Sequence, residues 1–129
     1  MITAVSLAIK ALSAQSSVTA ITSTRIYVSP VPQGTVLPAI AVALSAEEEE
    51  YLLAGSSQYP QSTVQIHCLA AKGSAALDLG DTVKIALRDL LFTSGSVKAS
   101  FAKEAVDFTD YADDQSSARR VMSFSVRWR

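Results

Sequence analysis

The residue types most often used in catalysis are present, but no spacing joins them into a site. His67 and Cys68 are adjacent, and each is the single residue of its type in the chain. Neighbouring residues of a strand point to opposite faces, so the two cannot form a nucleophile–base pair. A structural zinc site needs about four ligands. The serines lack a Gly-x-Ser-x-Gly elbow, and the five glycines are too dispersed for a phosphate loop. We therefore expect no catalytic residue, no metal and no cofactor.

Four consecutive glutamates, Glu47 to Glu50, form the densest charge cluster and precede Tyr51. Catalytic carboxylates need burial or charged neighbours that shift their pKa values, and a run of four is more often a solvated loop. Two further clusters follow. Acids occupy positions 104, 107, 110, 113 and 114, and arginines occupy positions 119, 120, 127 and 129. An acidic surface facing a basic one would serve self-association, and solvated faces without a partner explain the pattern equally well.

Composition limits the function classes. The chain has 129 residues, 49% hydrophobic and 18% charged, with a net charge of −1. This fits one domain that buries a core without disulfides, and it gives no basic footprint for sequence-specific nucleic acid or an anionic membrane. Arg119, Arg127 and Arg129 would share a strand face, but only Trp128, on the other face, could stack on bases. No apolar stretch reaches the about 18 residues of a membrane span.

Hydrophobic periodicity predicts the elements that would position these residues. Helices are predicted at about 2–14 and about 75–91, with a short turn or a single helical turn at about 17–21. Strands are predicted from Pro38, over 63–70, around 97–101, around 106–111 and over 121–128. Residues 47–61 then form a mobile arm or a long hairpin tip. The order indicates one α+β domain over 1–129, a mainly antiparallel sheet with two helices packed on one face.

Gly80 interrupts the apolar stripe of the second long helix. Glycine in a helix interior costs about 1 kcal/mol relative to alanine. Either the helix begins later, capped by Asp81, or the missing side chain lets the helix approach the sheet closely. We favour the close approach.

Several motifs recur together in order: Arg25-Ile26-Tyr27, Pro32-Gln33-Gly34, Leu37-Pro38, the strand 64–68, the helix 75–91 and the strand 120–126. This set, covering about residues 2–128, resembles the tail-completion, or tail-terminator, proteins of long-tailed, siphovirus-like bacteriophages. The resemblance implies a non-enzymatic virion tail protein, assembled in the host cytoplasm. It implies a ring, with six subunits expected, on the head-proximal end of the tail tube. Such a ring ends tube growth and offers a surface for joining the head.

The partners that the resemblance implies are copies of the same chain, the major tail tube protein and a neck or connector protein. The candidate interface residues are Glu47, Glu48, Glu49, Glu50, Tyr51, Arg25, Tyr27, Arg119, Arg120 and Arg127. Tyr27 is equally well explained as a tyrosine at the rim of the core, and Arg25 would hold either a carboxylate or backbone carbonyls. The glutamate run departs from the mixed polar residues of the family.

Two other functions remain open at this stage. A neck or head–tail connector protein would be similar in size and would also form a ring, and a neighbouring gene for the tail tube protein would favour the terminator. A small cytosolic ligand-binding or enzymatic α+β domain would need a concave site with convergent polar groups. The sequence offers no such set of residues.

Overall fold

A computed structural model of the chain describes residues 4–29, 34–48, 51–52, 55–56, 61–111 and 117–128. Within these ranges the helices are α1 (Ala4–Ser13), α2 (Ser16–Thr22) and α3 (Gly73–Leu87). The strands are β1 (Ile26–Val28), β2 (Ala39–Glu48), β3 (Tyr51–Leu52), β4 (Gly55–Ser56), β5 (Gln61–Ala70), β6 (Leu91–Ser94), β7 (Val97–Tyr111) and β8 (Ala118–Trp128). No single helix among these is long and apolar enough to cross a membrane; only α1 and α2 taken together, bent by 88°, reach that length and composition.

One six-stranded sheet carries the fold, in the order β1-β2-β5-β8-β7-β6. Four of its five pairings are antiparallel, and the short β1 pairs with β2 in parallel. The predicted α+β class with a mainly antiparallel sheet is thus confirmed, and β1 makes the sheet mixed. The last strand of the chain, β8, lies inside the sheet between β5 and β7.

Side-chain alternation decides which face of the sheet is covered. Val64 and Ile66 on β5 are paired with Phe124 and Met122 on β8, so their side chains share one face. Helices α1 and α3 pack their apolar stripes on that face, hereafter the helix face, and bury it completely at these positions, while α2 packs against the two other helices. Burying one such side chain is worth about 1.5–3 kcal/mol, so this layer holds the subunit together. We call the opposite side of the sheet the outer face.

The third helix is shorter than predicted. It ends at Leu87, because Arg88 is extended and Asp89 has a φ of 57°, a left-handed conformation that cannot continue a helix. The chain then enters β6, a strand absent from the sequence prediction. Leu91, predicted as the end of the helix, begins this strand and is exposed.

The two strands predicted around 97–101 and 106–111 are one strand, β7. Its pairing with β8 shifts between Lys103 and Asp107, which leaves a bulge of residues 104–106. The ammonium group of Lys103 donates to the carbonyl oxygens of Glu104 at 2.7 Å and Val106 at 3.4 Å. Lysine therefore satisfies carbonyls that the bulge removes from the ladder, and the strand continues beyond it.

The glutamate run begins inside the sheet. Glu47 and Glu48 belong to β2 and lie opposite Ser62 and Gln61 of β5. Beyond them, Tyr51–Leu52 pairs with Gly55–Ser56 as a small second ladder. Glu49 and Glu50, with residues 53–54 and 57–60 of the predicted arm, lie outside the described residues.

Candidate subunit interface

The described residues contain no group of three or more His, Cys, Asp or Glu side chains that could hold a metal ion. Cys68 lies on the helix face, fully buried, and burial raises the pKa of its thiol to about 12. The thiol therefore stays protonated at neutral pH and is a poor nucleophile. His67, next to it, is half-buried on the outer face, so the two side chains point apart, as the strand pattern predicts.

Arg119 is engaged on the outer face by its own subunit. Its guanidinium binds the Asp110 carboxylate through two nitrogens, with Nε 2.9 Å from Oδ1, and NH1 lies 3.4 Å from Nδ1 of His67. Because a guanidinium only donates, Nδ1 must accept, which places the imidazole proton on Nε2. Burial and then the charge of Arg119 lower the pKa of His67. The hydrogen bond from Arg119 lowers the pKa of Asp110.

Arg120 points to the helix face and is 7% exposed. Its Nε and NH2 atoms each lie 2.9 Å from the Asp107 carboxylate, while NH1 donates to Asp81 at 2.7 Å and to the Leu77 carbonyl at 3.0 Å. The hydrogen bond from Arg120 lowers the pKa of Asp107. This arginine therefore ties α3 to β7 and β8 inside the subunit, and its placement is structural.

The gap left by Gly80 is filled by Arg120. A Cβ atom on Gly80 would collide with Arg120 Cδ and would lie 2.9 Å from NH1. The favoured interpretation, close approach between helix and sheet, is confirmed. What approaches is the aliphatic stem of an arginine rather than the strand backbone.

Arg25 holds backbone carbonyls. Its Nε donates to the Pro38 carbonyl at 3.0 Å, and NH2 lies 3.4 Å from the Ile21 carbonyl oxygen. Of the two roles left open, carbonyl binding is the one observed. The Leu37–Pro38 bond is cis. Tyr27, between Ile26 and Val28 on β1, is half-buried opposite Ala41.

The remaining predicted interface residues lie elsewhere on the sheet. Arg127 is exposed on β8 and lies opposite Gln61, which in turn lies opposite Glu48. Tyr51 belongs to the small ladder. The predicted residues therefore do not form one patch: Arg25 and Tyr27 lie at the β1 edge, and the arginines of β8 lie near the middle of the sheet.

Sequence reasoning missed one surface, the open edge of β7. Strand β6 pairs only with residues 97–100, so among the described residues nothing pairs with the outer edge from 102 to 111. Val106, Phe108 and Tyr111 on this stretch are 43, 48 and 61% exposed. Long edges with exposed apolar side chains favour pairing with another chain. The sequence feature that could have revealed this edge is the alternation of Val106, Phe108 and Tyr111 with the acidic residues of the same stretch.

The opposite edge of the sheet is formed by β1. Among the described residues β2 is its only strand neighbour. Val28 and Leu44 are 61 and 53% exposed there. They line an open groove between α1 and the edge together with Val5, Ile9 and Lys10.

Residues 8–129 match the family model described as tail completion protein gp17. A chain of a solved structure titled "Virion of native gene transfer agent (GTA) particle" has a similar fold, with a TM-score of 0.70 and 16% identity. The similarity covers 97% of this chain and 93% of that one. Among curated proteins, no sequence matches significantly. Since the family model covers nearly the whole chain, this protein belongs to the tail completion protein gp17 family and is a structural component of a phage-like virion tail.

Proposed function

We propose that this protein forms a ring on the head-proximal end of the tail tube, where it ends tube polymerisation and provides the surface for head joining. The observation that carries the proposal is the family match over residues 8–129. The ring is expected to have six subunits and to bind the major tail tube protein on one side and a neck protein on the other. The protein acts by binding and not by catalysis.

The geometry of the sheet supports a ring. Closed rings are built from heterologous contacts, in which two different surfaces of one subunit meet those of its neighbours. This subunit has two different open edges, at β1 and at β7. Their charges also differ: residues 1–46 contain Lys10 and Arg25 with no acid, whereas residues 104–114 contain five acids with no base.

Removal of the gene tests the function directly. Without the protein, electron microscopy should show tubes of uncontrolled length that carry no heads, and expression from a plasmid should restore normal particles. Light scattering coupled to size exclusion should show a ring at high protein concentration or with tube protein present. A strict monomer in both conditions would contradict the ring. Tails of normal length that lack only heads would indicate a neck or connector protein instead.

A further inference from the structure

The two open edges lie at the same level of the sheet. The strand registers place Ile26, Ile40, Cys68, Arg120 and Thr109 in one cross-strand row. Two residues further along, a row on the same face contains Val28, Val42, Ile66, Met122 and Asp107. Strand β1 therefore lies level with the part of β7 that β6 leaves uncovered.

Backbone hydrogen bonds show which groups face outward at β1. The Ile40 amide donates to the Arg25 carbonyl at 3.0 Å, and the Ser29 amide donates to the Val42 carbonyl at 2.9 Å. Arg25 and Ser29 thus face β2, and alternation along the strand turns the amide and carbonyl groups of Ile26 and Val28 outward.

The same alternation applies at β7. Because Ile40 and Val42 face β1, the residues opposite them on β5 face β8, and their partners Arg120 and Met122 face back towards β5. Asp107 and Thr109, paired with Met122 and Arg120, therefore turn their backbone groups outward. Phe101 provides a check. It lies opposite Val126, which alternates in phase with Met122 along β8, and its amide donates outward to the Leu90 carbonyl at 2.9 Å.

Strand directions permit the two edges to pair. Strand β1 runs parallel to β2, and three successive antiparallel pairings lead from β2 to β7. Thus β1 and β7 run in opposite directions. A rotation about a ring axis along the strands preserves direction, so β1 of one subunit meets β7 of the next as an antiparallel pair.

Side chains at the two edges are complementary. The β1 edge presents Val28 and the apolar groove with Lys10 at its side. The β7 edge presents Val106 and Tyr111, and Arg119 and Arg120 neutralise two of the three acids of the strand, Asp110 and Asp107, while Glu104 remains. A basic, apolar edge would thus meet an apolar edge that keeps acidic character.

We propose that adjacent subunits of the ring join by antiparallel pairing of β1 with residues 107–111 of β7, so that one sheet continues from subunit to subunit. This inference rests on the proposed ring, and it names the surfaces that close it. The partner is a second copy of this chain.

Paired cysteines test the contact. Within one subunit, β1 and β7 are separated by four strand spacings, about 19 Å, whereas a disulfide needs Cα atoms within about 7 Å. Asp107 lies level with Val28 but binds Arg120, so the second cysteine is placed two residues further along β7, at Thr109. In the double variant Val28→Cys with Thr109→Cys, oxidation or a short bis-maleimide should therefore join only neighbouring subunits. Both positions are exposed, so the fold should be kept, and Cys68 is buried. We expect a ladder of covalent oligomers that ends at the size of the ring.

The control is Val28→Cys with Ile85→Cys, since Ile85 is 69% exposed on α3 and does not belong to a strand edge, so this pair should give no ladder. Val28→Cys with Tyr111→Cys tests a register shifted by two more residues along β7. Each single variant alone should give no ladder, whereas cross-linked dimers of a single variant would show a symmetric contact and overturn the inference. Rings seen by light scattering without a ladder from either double variant would also overturn it, while leaving the proposed function intact. Failure of the ring itself would be a failure of the proposed function.

Discussion

Arg120 joins α3 to β7 through its side chain. It is buried, it satisfies Asp107 and Asp81 together, and its stem fills the space that Gly80 leaves open. Removal of one partner from a buried ion pair costs about 3–5 kcal/mol, and the exposure of Asp81 places the expected loss at the lower end. We therefore expect Arg120→Ala to lower the free energy of unfolding by about 3 kcal/mol.

The effect of Gly80→Ala on the free energy of unfolding should then have opposite signs in the wild-type chain and in Arg120→Ala. In the wild-type chain the new Cβ collides with Arg120, and overpacking of this kind costs about 1–3 kcal/mol. In Arg120→Ala the collision is gone, and the same change should stabilise by about 1 kcal/mol, the gain of alanine over glycine in a helix. Urea denaturation of the four proteins measures both values. The same sign in both backgrounds would contradict this account, and Ile85→Ala, an exposed position on α3, is the control.

The sequence predicted that the helix approaches the sheet closely at Gly80, but it did not predict that the side chain of Arg120 fills the space. Arg119 and Arg120 bind Asp110 and Asp107 because β7 and β8 pair in a particular register. Phe101 opposes Val126, whereas Asp107 opposes Met122, so the bulge displaces the pairing by two residues. Periodicity cannot show such a displacement. The opposed charge clusters could therefore be seen in the sequence. That they pair with each other within one subunit could not.

At the level of elements, strong periodicity was a good guide. Helix α1 and strands β5 and β8 lie where alternation or helical spacing predicted them, because each has one face committed to the core. The end of α3 was missed because Leu90 and Leu91 continue the apolar pattern, while the helix is ended by the backbone of Asp89. Strand β6 has four residues, and none of their side chains is fully buried, so its hydrophobic pattern does not predict a strand.

The hairpin beyond the sheet should be dispensable for folding. Strands β2 and β5 pair as far as Glu48 and Gln61, so removal of residues 53–58 leaves the core positions of both strands in place. We expect this deletion to keep the melting temperature within a few degrees and to block tail completion, because the hairpin tip would contact the next subunit or the tube. Electron microscopy of tails from a complemented deletion strain measures the effect.

A replacement of residues 53–58 by a Gly/Ser segment of equal length is the matched control. It keeps the length of the hairpin and removes its side chains, so a shared defect would assign the function to those side chains. Normal tails from the deletion would rule out a role for the tip.

At the level of the whole molecule, the glutamate run would either line the channel of the proposed ring or bind the next subunit. Arg119 and Arg120 bind carboxylates of their own subunit, so a pairing of the run with the next subunit would not use these two arginines. We expect this pairing, since like charges crowded around a narrow channel would repel one another. Single exposed ion pairs are worth about 0–1 kcal/mol, but repetition around a ring adds them.

Replacement of Glu47 to Glu50 by glutamine should therefore weaken the ring, and salt should reproduce the effect, because the screening length falls to about 3 Å at 1 M. Ring dissociation against salt concentration, measured by light scattering, compares wild type, the quadruple variant and Asp78→Asn, an exposed acid on α3 that serves as control. Equal rings that are insensitive to salt would place the run in the channel.

The position of β8 inside the sheet has a consequence for the timing of assembly. A nascent chain that has emerged only as far as Tyr111 holds β5 and β7 without the strand that joins them, and its helices have an incomplete surface to cover. The sheet closes only once β8 is available, through contacts between residues far apart in the chain, and such contacts form slowly. Prematurely terminated chains would lack the level edges at which neighbours are proposed to pair. Fragments would therefore be unable to join the proposed ring.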